Sequence, residues 1–170
     1  NSETEFHVSD FEKLRVFDAN GEGKLGSTLI NIPVDDELVK FLENATNLEE
    51  FKVLAKENGV RKIKDFSFLK KLSELKLFYY TNQNQTKEKV DVANLDLTSN
   101  SKLEDVRVGQ GNLQNLNFVK DLNLKNLDVE DNELNDISAL KNMTSLTELH
   151  LDNNKLSNNN ILDIAGLVNL

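Results

Sequence analysis

Apolar residues recur through most of the chain at two alternating spacings. One spacing is two residues, as in Leu127-x-Val129 and Leu149-x-Leu151, with Asp128, Glu130, Glu148, His150 and Asp152 in and around the gaps. That is the period of a strand with one buried face. The other spacing is three, as in Leu134, Ile137, Leu140, Met143 and Leu146. It suits 3₁₀ turns or extended chain better than a long α-helix. The two spacings alternate as one unit. Leu124-x-x-Leu127-x-Val129-x-x-Asn132-x-Leu134 returns 22 residues later as Leu146-x-x-Leu149-x-Leu151-x-x-Asn154-x-Leu156. A unit this short cannot bury its own apolar face. It buries that face only by stacking on a neighbouring unit, which predicts a coil array.

These residues match the leucine-rich repeat pattern of a short strand, a turn around Asn and a returning segment. Asn132-x-Leu134-x-Asp136-Ile137-x-x-Leu140-x-x-Met143-x-x-Leu146 resembles the 22-residue repeat of the internalins, surface proteins of Gram-positive bacteria. The same repeat class occurs in intracellular regulators of protein phosphatases. The match is tight over about 35 residues and looser elsewhere. It implies an α/β fold: a right-handed leucine-rich repeat solenoid, with one parallel sheet on the concave face and mostly 3₁₀ or irregular convex segments. Asn132 and Asn154 leave the strand at the turn, where a carboxamide can bond both turn backbone and the next coil.

Read in order, residues 1–170 form a single domain of about six irregular repeats, starting near 11, 48, 72, 103, 124 and 146. Val8-x-x-Phe11-x-x-Leu14-x-Val16 reads as the tail of one repeat running into the strand of the next. Gly21 to Gly26 reads as a loop, and Ser27 to Pro33 as β-prone chain. Leu38, Phe41 and Leu42 within 35–44 have helical spacing, with Asp35 or a neighbouring Asp as cap. Thr81–Lys89 is polar, lacks apolar periodicity and reads as a mobile insertion rather than a strand. The Asn of the turn becomes Gly111, Tyr80, Lys56 and Ala19 toward the N-terminus, with Asn20, Asn58 and Asn82 as possible substitutes. Leu170 opens a seventh repeat, and the array is expected to continue past it and either to begin before residue 1 or to start with a degenerate coil.

Composition narrows the function. The formal net charge is −9, which argues against nucleic acid or an anionic membrane as main partner. There is no Cys, so there is no disulfide and no Cys-ligated metal. No apolar run approaches the roughly 20 residues of a membrane span. Gly21-x-Gly23-x-x-Gly26 matches a dinucleotide fingerprint by letter, but no helix follows, so a loop is the better reading. The glycosylation sequons at Asn44, Asn84 and Asn142 are expected by chance in so Asn-rich a chain. His150 among carboxylates resembles a metal or acid–base site. Nothing supplies a pocket, a nucleophile or an oxyanion donor, and an exposed strand face is the favoured reading. Calcium suits that oxygen-rich cluster better than catalysis does.

The expected function is a non-catalytic protein-binding module without a cofactor. The resemblance implies a protein ligand on a host or other cell surface, an extracellular or cell-surface location and a role in adhesion. The alternative is a cytoplasmic scaffold or phosphatase-regulator type. Taking the strands from the repeat starts above, the concave row is Lys13, Arg15 and Phe17, then Glu50, Lys52 and Leu54. Glu74, Lys76 and Phe78 follow, with Tyr80 at the edge, then Asp105 and Arg107. Asn126, Asp128 and Glu130, then Glu148, His150 and Asp152, complete it. Phe17, Leu54 and Phe78 form the expected central anchor, and the acidic end is expected to steer the partner.

Overall fold

The computed structural model describes residues 8–19, 23–25, 28–30, 34–55, 63–82 and 89–170. Its backbone is one sheet whose parallel strands are joined by return segments of 3₁₀ helix, short α-helix and irregular chain. Six strands run parallel: β1 (Val16–Ala19), β4 (Glu50–Ala55), β5 (Leu77–Asn82), β6 (Asp105–Arg107), β7 (Asn126–Asp128) and β8 (Glu148–His150). Two more, β2 (Gly23–Leu25) and β3 (Thr28–Ile30), add antiparallel beside β1. The sheet order is β3-β2-β1-β4-β5-β6-β7-β8. The architecture is the expected solenoid with a short antiparallel extension at its N-terminal edge. Gly23–Leu25, read from the sequence as loop, is strand because it pairs with Phe17, Asp18 and Ala19.

Return segments behave as their period of three requires. Leu69 N–H donates to Phe66 C=O at 3.1 Å and Leu72 N–H to Leu69 C=O at 3.0 Å. Three coils later, Leu140, Met143 and Leu146 repeat this ladder from Ile137 at 2.9, 2.9 and 3.1 Å. Bonds three residues apart keep one face apolar, and Leu69, Leu72, Ile137, Leu140, Met143 and Leu146 are all buried. The helix Asp36–Leu42 starts where expected. Asp35 caps it by accepting from the N–H groups of Glu37 and Leu38, both at 3.1 Å.

Asn132 and Asn154 join the coils. Asn132 Nδ2 donates to Val108 C=O at 2.7 Å and to Val129 and Glu130 C=O, both at 3.1 Å. Its Oδ1 accepts from Leu113 N–H at 3.2 Å. Asn154 repeats the arrangement with Val129, Leu151 and Asp152 as acceptors and Leu134 as donor. Each side chain therefore ties its own turn to the preceding coil, not to the next one. Gly111 holds this turn position one coil earlier. A Cβ there would lie 2.7 Å from Asn132 Oδ1 and 3.0 Å from Val92 Cγ2, so only glycine leaves room for the Asn132 bridge.

Register departs from expectation in the first and third repeats. Phe17 pairs with Phe51, Phe51 with Phe78, and Phe78 with Val106. Phe17 and Phe78 are therefore inward, 2 % and 0 % exposed, and Tyr80 is 1 % exposed. Val16 and Leu77, read as inward, lie on the outer face, and Val16 is 40 % exposed. Leu14 and Leu75, rather than Phe11 and Leu72, take the position of Leu48 and Leu103. The inward column is aromatic. Phe17, Phe51 and Phe78 stack at 5.4 and 5.2 Å between centroids, and Tyr80 meets Phe66 edge-on at 5.4 Å. Offset ring contacts add to area burial, and they favour this register over one that leaves three rings in water. Thr81 and Asn82 belong to β5, so the expected insertion does not begin at Thr81. Residues 83–88, Asn20, Lys56, Asn58 and the Asn84 sequon lie outside the described residues.

A candidate protein-binding face

The observed register defines the outer sheet face. Its two main rows are Val16, Glu50, Leu77, Asp105, Asn126 and Glu148, and beside them Asp18, Lys52, Tyr79, Arg107, Asp128 and His150. A third row carries Leu54 and Thr81, followed by Glu130 and Asp152. Of the residues expected on this face, Lys52, Leu54, Arg107, Asp128, Glu130, Glu148, His150 and Asp152 are there. Phe17, Phe78 and Tyr80 are not, for the packing reason given above. Lys13 and Arg15 precede β1. Lys13 pairs with Asp10 at 3.6 Å, and Arg15 Nη1 donates to Glu12 C=O at 3.1 Å. Lys76 precedes β5 and pairs with Glu49 at 3.1 Å. Tyr79 was missed in the sequence, where its signal was available only through the alternative register.

Polar groups on the face hold one another in place. Tyr79 O–H donates to Asp105 Oδ2 at 2.8 Å. Burial, then this bond and the Asp105 charge, push the phenol up to about 12. The Arg107 guanidinium lies 5.1 Å from the Tyr79 ring centroid, within cation–π range. Its Nε is 2.9 Å from Asp128 Oδ2, an ion pair. Lys52 pairs with Glu50 at 2.6 Å. His150 Nε2 meets Glu148 Oε1 at 2.8 Å, and this contact above all raises the imidazole. Glu130 is raised by burial first and then by the charges of Asp128 and Asp131. Among the described residues, no group of three or more His, Cys, Asp or Glu could hold a metal ion.

Comparison with known structures is decisive for the fold. Internalin InlF of Listeria monocytogenes is 30 % identical, with a TM-score of 0.53 over 78 % of this chain. The chain has an internalin-like leucine-rich repeat fold. Internalin C2 of the same organism is 19 % identical, covers 97 % of this chain and 82 % of its own, and has a TM-score of 0.54. The internalin-like chain spans 42 % of the length of the InlF structure. No protein-family model and no curated protein matches the sequence. The internalin-like fold is that of a protein-interaction module. Among the described residues, no helix is long and apolar enough to cross a membrane.

Proposed function

We propose that the chain is the ligand-binding repeat region of a bacterial surface protein. Its concave sheet docks a protein on a host or other cell surface, without catalysis, and serves adhesion. The observation that carries this reading is the half-buried pair Leu77 and Tyr79 in the middle of the outer face, with Arg107 over the ring. Elsewhere that face is filled mainly by charged and polar side chains. Tyr and Arg are the residue types that dominate binding energy at protein interfaces, and they do so near the centre of the patch. The Asp105 and Asp128 contacts hold both side chains in place before a partner arrives, which lowers the ordering entropy lost on binding. The acidic C-terminal half then steers the approach.

The test uses labelled protein on cultured mammalian cells. Saturable binding is expected, and Tyr79→Ala should weaken it by about tenfold or more, as at an interface hot spot. Circular dichroism checks that the variant is folded. Binding equal to that of the parent would remove the central patch from the function.

A further inference from the structure

Beside the acidic end of this face lies a cavity of about 390 Å³, lined by Lys89, Gln110, Asp131, Asn132 and Asn153. Gln110, Asp131 and Asn153 hold the same place in three successive coils, each three residues beyond its strand. All three have left-handed backbones, with φ of 52°, 56° and 54°. Asp131 directly follows Glu130, and Asn153 directly follows Asp152, so the cavity continues the sheet face.

Three observations give the cavity a chemistry. First, Gln110 Oε1 is buried and accepts no hydrogen bond. A buried acceptor without a donor costs free energy, and a small turn of the Gln110 side chain toward the cavity lets an entering donor recover it. Second, Lys89, the one cation among the described lining residues, is already bound to Glu133, which Lys155 also meets at 3.2 Å. Third, Glu130, Asp131 and Asp152 form no ion pair among the described residues, while Asp128 and Glu148 are matched by Arg107 and His150. Among the described residues, Lys89 and Lys155 against Glu133, Glu130, Asp131 and Asp152 leave a local surplus of negative charge. Burial first, and then the charges of Asp128 and Asp131, raise the Glu130 carboxyl beside it.

We propose that this cavity seats a basic side chain of the protein partner, an ammonium or guanidinium bound by Gln110, Asp131 and Asn153. The proposal rests on the concave-face reading and adds a chemical demand to it. A partner carboxylate on Arg107 is the competing arrangement. It is disfavoured because Asp105, Asp128 and Glu130 surround that guanidinium and repel a further negative charge.

Random displayed peptides selected against the whole chain test it. Peptides that lose affinity on Tyr79→Ala are the concave-face binders. They are expected to carry a Lys or Arg whose replacement by Gln weakens binding about tenfold on the parent and less than about twofold on Asp131→Asn. Both changes remove the same contact, so their effects do not add. Asp131→Asn keeps the fold, because Asn153 already occupies the equivalent left-handed position. Concave-face binders indifferent to their own basic residues would overturn the inference and leave the face assignment standing. So would an equal loss on parent and Asp131→Asn. If no selected peptide responds to Tyr79→Ala, the face assignment fails and the inference with it.

Discussion

At the residue scale, burial and hydrogen bonding decide which side chains the fold depends on. Phe78 is fully buried in the aromatic column, so Phe78→Ala should cost roughly 3–5 kcal/mol in urea unfolding. A surface anchor would give almost none of that. Asn132→Ala removes donors from three carbonyls and the acceptor of Leu113 N–H. Each buried group left unpaired costs about 1–3 kcal/mol, and the expected loss is at least about 2 kcal/mol in the same assay. Glu130→Gln should act the other way. Its folded pKa is raised, so at neutral pH the native state holds a charge that burial and its neighbours oppose. The variant is expected to unfold at slightly higher urea near pH 7, and the gain should vanish in acid, where Glu130 is protonated in both states.

At the element scale, each coil draws its stability from its neighbours. Leu127 in β7 is covered by β6 and β8 and fully buried, whereas Leu149 in the edge strand β8 is half-buried. Leu127→Ala should cost roughly 2–5 kcal/mol, and Leu149→Ala clearly less, because its cavity opens toward solvent. Equal losses in matched unfolding curves would contradict this account. The sequence read Leu127 and Leu149 as equivalent core residues. They share a repeat position, and only the place of a coil in the stack separates them. The third repeat shows a different limit. Leu72-x-x-Leu75-x-Leu77 and Leu75-x-x-Phe78-x-Tyr80 both fit the same template. A period-three return segment running into a period-two strand leaves the point of change undetermined until β5 pairs with β4 and β6.

For the whole molecule, pH stability follows from carboxylates on the convex side. Asp65, Asp96 and Asp136 accept from Ser67, Thr98 and Ser138, and these bonds hold each of them below 3.8. Their stabilisation is present in full above 3.8 and is lost as pH falls through their lower folded values, since the unfolded chain binds protons first. His150 works in the opposite direction. Its raised pKa adds stability that is full below 6.5 and disappears as pH rises through the folded value. Urea midpoints against pH should therefore fall in acid. His150→Gln should lower the midpoint at about pH 6 more than at about pH 9, because only the charged imidazole attracts Glu148.

The sequence by itself determined the repeat, the solenoid, the 3₁₀ return segments, the turn Asn residues and the acidic half of the outer face. Each depends on contacts that recur at a fixed offset, and a periodic pattern records those directly. Tertiary structure alone decided the inward column of Phe17, Phe78 and Tyr80 and the outward pair Leu77 and Tyr79. It also decided the cavity beside Gln110, Asp131 and Asn153. In a strand, a shift of one residue exchanges the two faces. Where both faces offer apolar side chains, as from Leu75 to Tyr80, composition does not choose between them. The choice falls to the rings stacked between neighbouring strands, and those contacts exist only once the coils have assembled.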